Sequence, residues 1–175
     1  MYITVIDRYR MVDLSTILQY NLDLKRGVCT MSSIRTLWLD MKNVLRLARQ
    51  FINAGLEPLN LSGSEGDILF QLLTGSNQFL QEQLAQQLDI GKAAVSRTVD
   101  SLEQKGYVVR ERLKEDKRAH SVSLTEKAYS IGEDIMGVYN RLFALVKKGV
   151  ADEELALIES MLSRVAGNLQ SLEAR

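Results

Sequence analysis

The part of this chain that most constrains its fold runs from Gln81 to Thr125, where two short amphipathic helices lead at once into two alternating segments rich in basic residues. Gln81 to Leu88 puts Leu84, Ala85 and Leu88 on one apolar stripe of a short helix. Small Ala85 lets a second helix cross close by. Asp89-Ile90-Gly91 reads as the turn between them. From Lys92 onward, Val95, Val99 and Leu102 recur at i, i+4 and i+7, which predicts a second helix with one buried face that stops at Lys105-Gly106.

At about 100° per residue, the side opposite Val95 carries Ala93, Arg97, Asp100 and Gln104, with Ser96 on its flank and Lys92 in the first turn. Small and hydrogen-bonding side chains suit the major groove of a DNA duplex. Arginine can hold guanine O6 and N7 with both arms, serine can bond bases or phosphates, and an alanine methyl can meet a thymine methyl. Arg97 and Ser96 are therefore the candidate base readers, with Lys92 and Ala93 beside them. Taken alone, the pattern fits an ordinary amphipathic pair with a solvated polar side equally well. Asp100 on the same face runs against a phosphate partner.

The next segment shifts the balance. Tyr107 to Arg112 and His120 to Leu124 alternate like two strands around the polar tip Leu113 to Ala119, predicting a hairpin directly after the second helix. Between Lys92 and Arg118 eight basic residues face five acidic ones, a local balance of +3, whereas the whole chain carries 22 of each sign. Positive charge is thus concentrated where a nucleic acid would lie, with Lys114 and Lys117 as candidate phosphate contacts. Basic residues on a hairpin also guard an exposed edge against aggregation. The hairpin's position after the helix favours the binding role.

The run Val95-Ser-Arg-Thr-Val-Asp-Ser-Leu-Glu-Gln-Lys-Gly106, followed by Arg110, Asp116-x-Arg118 and Leu124-Thr-Glu-Lys127, resembles the MarR family of bacterial and archaeal transcription regulators. The likeness in architecture runs from about Ser32 to Leu172, and its sharp motifs lie between Leu80 and Lys127. Two positions depart from the family pattern: Gly91 stands where a Ser or Thr cap is usual, and Ala128 where a Gly is usual. Glycine remains an acceptable helix N-cap, and Ala128 is expected simply to extend the helix that follows. The resemblance implies a mainly α protein, a winged helix-turn-helix with long terminal helices that dimerise. It implies a homodimer with its second helices in successive major grooves and Arg118 at each wing tip in a flanking minor groove. Asp116 would structure the wing, together with Arg110, although aspartate is also an ordinary turn residue. A small aromatic or lipophilic effector that releases the DNA is implied too.

The flanking segments give the dimer a physical basis. Ile34, Leu37, Met41, Val44, Ala48 and Phe51 mark a long amphipathic helix that Pro58 ends. Thr125 can cap a helix carrying Ala128, Ile131, Ile135, Val138, Leu142 and Leu145, which Lys147-Lys148-Gly149 closes. Leu155, Ile158, Leu162, Val165, Leu169 and Leu172 repeat the spacing from about Asp152. Two or three such helices hold little core alone, whereas those of two subunits can interdigitate. Gly63 to Thr74 reads as a further helix, with Ile68, Leu69, Leu72 and Leu73 buried, bracing the second helix of the motif from behind; Gly75-Ser76-Asn77 is its closing turn. The expected divisions are an extension over 1–31, a dimerisation helix over 32–58, a winged DNA-binding domain over 59–124 and C-terminal dimerisation helices over 125–175.

Other functions find little support. No run of about 18 apolar residues and no secretory leader is present, so a cytoplasmic protein is expected. One cysteine and one histidine cannot assemble a zinc site, and Gly91-Lys92 lacks the rest of a phosphate-binding loop. Neither an enzyme nor a cofactor is expected, and His120 reads as a packed or solvated strand residue. Residues 1–31 have no assigned role. Either Met31 is the natural start, or the stripe Leu14, Ile17, Leu18 and Leu22 wraps a partner subunit. Cys29 raises the alternative of a redox-sensing regulator, against which stands the lack of a second cysteine. A protein-interaction module without DNA affinity is the rival from another class.

Overall fold

The computed structural model describes residues 31–76, 78–112 and 120–173. The elements are α1 (Met31–Leu56), a single 3-10 turn (Glu57–Leu59), α2 (Gly63–Thr74), β1 (Gln78–Leu80), α3 (Gln81–Gln87), α4 (Lys92–Gln104), β2 (Val108–Arg112), β3 (His120–Leu124), α5 (Glu126–Ser130), α6 (Gly132–Lys147) and α7 (Asp152–Glu173). The chain divides between Arg46 and Leu47 into two compact units, and α1 straddles the boundary. Within the first, Ile34, Leu37 and Val44 are exposed.

The second unit holds the core. Leu56, Ile68, Leu69, Leu72, Leu84, Val95, Val99, Leu102, Val122 and Ile135 are fully buried and form one cluster. Burying each such side chain contributes roughly 1.5–3 kcal/mol, and the cluster draws on α2, α3, α4, the sheet and α6. Close approach of α1 and α2 requires Gly66, since a Cβ there would lie 2.1 Å from Leu56 Cδ1. Leu73, expected to be buried with its neighbours on α2, is only half-buried; it packs at the margin of the core, against Gly132.

Three local choices fix the order of elements. Pro58 ends α1, and the chain tightens into the 3-10 turn. Ser62 then opens α2 with a capping box: its hydroxyl accepts from the Glu65 amide while the Glu65 carboxylate accepts from the Ser62 amide at 2.7 Å. Gly106 adopts a φ of 76°, the left-handed conformation that lets α4 stop and β2 begin.

The hairpin pairs β2 with β3 antiparallel in the register Val108↔Leu124 to Arg112↔His120. A third strand, β1, joins the other edge of β3, giving the order β1-β3-β2. The helix expected to run uninterrupted from Thr125 is instead two. Thr125 does cap the first, and Ala128 is fully buried within it. The chain then breaks at Ile131, whose amide bonds the carbonyl three residues back, and α6 starts afresh at Gly132. Glycine is the poorest helix former after proline, and its place here beside Leu73 lets α6 pack tightly on α2. Along α6 burial fades from Ile135 and Val138 through Leu142 to exposed Leu145. On α7 Ile158, Leu162, Val165 and Leu169 are all exposed; the side chain of Leu172 lies outside the described residues. No helix among the described residues is long and apolar enough to cross a membrane.

Candidate nucleic-acid interface

The helix-turn-helix predicted from spacing is present. Helix α3 buries Leu84 and Ala85, and its N-terminus is fixed by Gln83, whose Oε1 accepts from the Leu80 amide at 2.8 Å. Asp89 takes a left-handed φ of 50° in the turn, a conformation aspartate tolerates better than most residues. Helix α4 buries Val95, Val99 and Leu102 completely. Its N-cap is Gly91, with no side-chain cap bond, and a Cβ at that position would meet nothing within 4 Å.

With the apolar face spoken for, Lys92, Ala93 and Arg97 are exposed and Ser96 is half-buried beside them. All four candidate readers on the helix are thus brought to one side of α4. Lys92 bonds Glu82 of α3 through its ammonium group, so it also ties the two helices together. Asp100, whose charge argued against a phosphate partner, accepts from the Arg110 guanidinium of β2. That pairing cancels the charge locally and links α4 to the hairpin. Arg110 thus pairs with Asp100, and its Nε is buried with no hydrogen bond among the described residues; Asp116, its expected partner in the wing, is not among them. Lys114, Asp116, Lys117 and Arg118 lie outside the described residues, as do Cys29, Asn77 and the segment containing Leu14, Ile17, Leu18 and Leu22.

Spacing did not reveal the polar group behind α4. Glu65 is 3% exposed and its carboxylate accepts from Ser62 N at 2.7 Å, Ser62 Oγ at 2.9 Å, Ser101 Oγ at 2.8 Å and Lys105 Nζ at 2.9 Å. Burial pushes this carboxyl up, but the bonds from Lys105, the Ser62 amide and the two serine hydroxyls outweigh it and hold the group below its ordinary range. Lys105, counted above with the basic surface, is therefore committed to Glu65 and to the Asn60 carbonyl. The motif Ser62-x-x-Glu65 signals a cap; its partners 36 and 40 residues on leave no trace in local sequence.

The end of α4 is clamped from the far side of the hairpin. Lys127 donates to the Lys105 carbonyl at 2.6 Å and sits 4.6 Å from the centre of the Tyr107 ring, placing a cation at the negative end of the helix dipole. Thr125 Oγ1 donates to the Gly106 carbonyl at 2.8 Å. Elsewhere in this unit Asp67 of α2 accepts from Arg49 and from the Tyr139 hydroxyl, each at 2.7 Å. Burial, and then that bond to Asp67, raise the Tyr139 phenol well above its ordinary value. Tyr139 also stacks on Phe70 at 4.2 Å.

Comparison with known proteins gives the same assignment. Residues 59–119 match the model of the MarR family. A MarR transcriptional regulator from Methanosarcina mazei Go1 superposes with a TM-score of 0.66 at 22% identity, over 79% of this chain and 99% of its own. A MarR family regulator from Listeria monocytogenes, solved in complex with a 26mer DNA, gives 0.68 at 23% identity over 75% and 87%. An organohalide-sensing regulator in its 2,4-dichlorophenol-bound form gives 0.66 at 21% identity over 77% and 79%. At these identities the structural likeness is one of fold. The matched segment takes in the helix-turn-helix and the first strand of the hairpin, and over it the chain is similar to the MarR family.

Proposed function

We propose that this protein is a homodimeric regulator of transcription that binds a pseudo-palindromic operator in double-stranded DNA and represses until a small-molecule effector releases it. The observation that carries the reading is the α4 face. Lys92, Ala93, Ser96 and Arg97 stand together on a helix whose opposite side is completely buried, directly before a basic hairpin, in a fold that a DNA-bound relative shares. Arg97 and Ser96 read bases, Lys92 and Ala93 fit the groove beside them, and Lys114 and Lys117 contact phosphates. Arg118 enters the minor groove from a wing held by Asp116 and Arg110. The division into an extension over 1–31, a dimerisation helix over 32–58, a DNA-binding domain over 59–124 and dimerisation helices over 125–175 belongs to this reading. So does a cytoplasmic location. The exposed apolar stripe of α7 supports a second copy of the chain as its cover. The dichlorophenol-bound relative supports an aromatic effector.

The test is binding to the DNA upstream of the protein's own gene, against random duplex, at two salt concentrations. Specific, salt-sensitive binding that Arg118→Ala weakens is expected. Arg97→Ala should cost roughly 1–3 kcal/mol of specific binding and relax sequence preference, whereas Lys114→Ala should weaken all sequences alike and flatten the salt dependence. Absence of binding at either salt and with aromatic acids removed would turn the reading towards a protein-interaction module.

A further inference from the structure

We infer that Glu65 is a positioning residue for base reading: its buried carboxylate, anchored on Ser62, grips Ser101 and Lys105 and thereby fixes the roll of α4 about its own axis and the direction in which Arg97 points. This rests on the DNA-binding reading. Capping α2 needs only one of the carboxylate oxygens, and Oε2 receives the Ser62 amide and hydroxyl. The other, Oε1, takes Ser101 Oγ at 2.8 Å, and Lys105 Nζ bridges the two oxygens, 2.7 Å from Oε1 and 2.9 Å from Oε2. These two donors come from the last turn of α4 and its C-cap, four residues apart, and capping α2 does not call for them.

Apart from the bonds that Lys92, Asp100 and Glu103 make at the exposed side of the helix, to Glu82 and Arg110, the α4 contact is Val95, Val99 and Leu102 in the apolar core. Apolar burial is non-directional, so those side chains keep the helix against the core while leaving its roll loosely determined. Charge-assisted hydrogen bonds depend steeply on angle and distance. Arg97 precedes Ser101 by four residues, so the two lie on one ridge, and both line the open groove shared by Ser62, Thr98 and Lys105. A roll of about 10° moves a group at the helix's outer radius of about 6 Å by about 1 Å. A displacement of that size is enough to lose a two-armed guanine contact. Because the carboxylate is buried, the helix cannot slip away from it without leaving a charge unsolvated.

The experiment uses the full chain. A duplex selected from a random pool and a random duplex are titrated with wild type, Glu65→Gln, Ser101→Ala and Ser101→Thr. Glutamine keeps the size and the acceptor for the Ser62 amide, and alanine at 101 removes a single hydroxyl, so folding is checked by melting in each case. The ratio of specific to random affinity should fall about tenfold in Glu65→Gln and about threefold in Ser101→Ala, the size of one hydrogen bond's net contribution. Ser101→Thr, which restores a hydroxyl, should recover it, and affinity for random duplex should stay within about twofold throughout. Equal losses on both duplexes, or an unchanged ratio in both Glu65→Gln and Ser101→Ala, would overturn the inference. If wild type selects no duplex, it is the DNA-binding reading that fails. The roll of α4 is then still read without DNA, from amide chemical shifts of residues 93–104, and shifts identical in wild type and Ser101→Ala would overturn it.

Discussion

Helices α4 and α7 share one apolar rhythm and meet opposite surroundings. Val95, Val99 and Leu102 recur at helical spacing and are wholly buried; Ile158, Leu162, Val165 and Leu169 recur in the same way and remain 43–55% exposed. Periodicity therefore reports that a helix has an apolar face and is silent on what covers it. The cover of α4 is supplied by elements within a few tens of residues, which fold as one compact reader. The face of α7 calls for something else, and an apolar stripe of this length on a soluble monomer is unusual.

The contrast breaks first where burial is complete. Leu102→Ala should lower the unfolding free energy by about 2–5 kcal/mol, read by denaturant titration followed by circular dichroism; a loss under about 1 kcal/mol would mean the α4 core repacks freely. On α7, Leu162→Glu should leave the reader folded yet shift the protein to monomer in sedimentation at micromolar concentration, with melting that no longer depends on concentration. An unchanged assembly would show that this stripe is covered by something other than a second copy.

Acid sharpens the comparison, because the reader carries a buried charge. The Glu65 carboxyl is held below its ordinary value of 4.5, so the unfolded chain takes up a proton first as pH drops. Its contribution to stability is complete above that value and is lost as pH falls through the lowered folded one. Stability between pH 5 and 2 should thus decline less steeply in Glu65→Gln than in wild type, and superimposable curves would remove Glu65 from the acid response. The smallest effect belongs to the open cap of α4. Gly91→Ser, entering empty space at the start of α4, should stabilise the protein by a few tenths of a kcal/mol, visible as a rise in melting temperature, while a fall would point to a competing role for the bare backbone there.

Most of the reader was legible in the chain itself. Repeated apolar spacing, the glycine at 106 and the alternating strands placed α2, α3, α4 and the hairpin within a residue or two of where they lie. What escaped was made by distance. Strand β1 is three residues long and exists because β3, more than forty residues away, offers it an edge; three residues cannot display an alternation. The partners of Glu65 and Arg110 belong to other elements, so Lys105 and Asp100 were credited with surface charges that the fold neutralises in place. The interruption at Ile131 was hidden for another reason, since the apolar spacing continues undisturbed across it and only Gly132 marks the site.

That interruption bears on how the molecule comes apart. Helix α5 is fastened to the hairpin side through Thr125, Ala128 and Lys127, and no backbone ladder runs unbroken from it into α6. Fraying that begins at the exposed end of α6 meets a boundary at residue 131 and need not propagate into the contacts that clamp α4. In amide exchange, residues 126–130 should open together with the strands, on a slower clock than the last turns of the long helix that follows them in sequence.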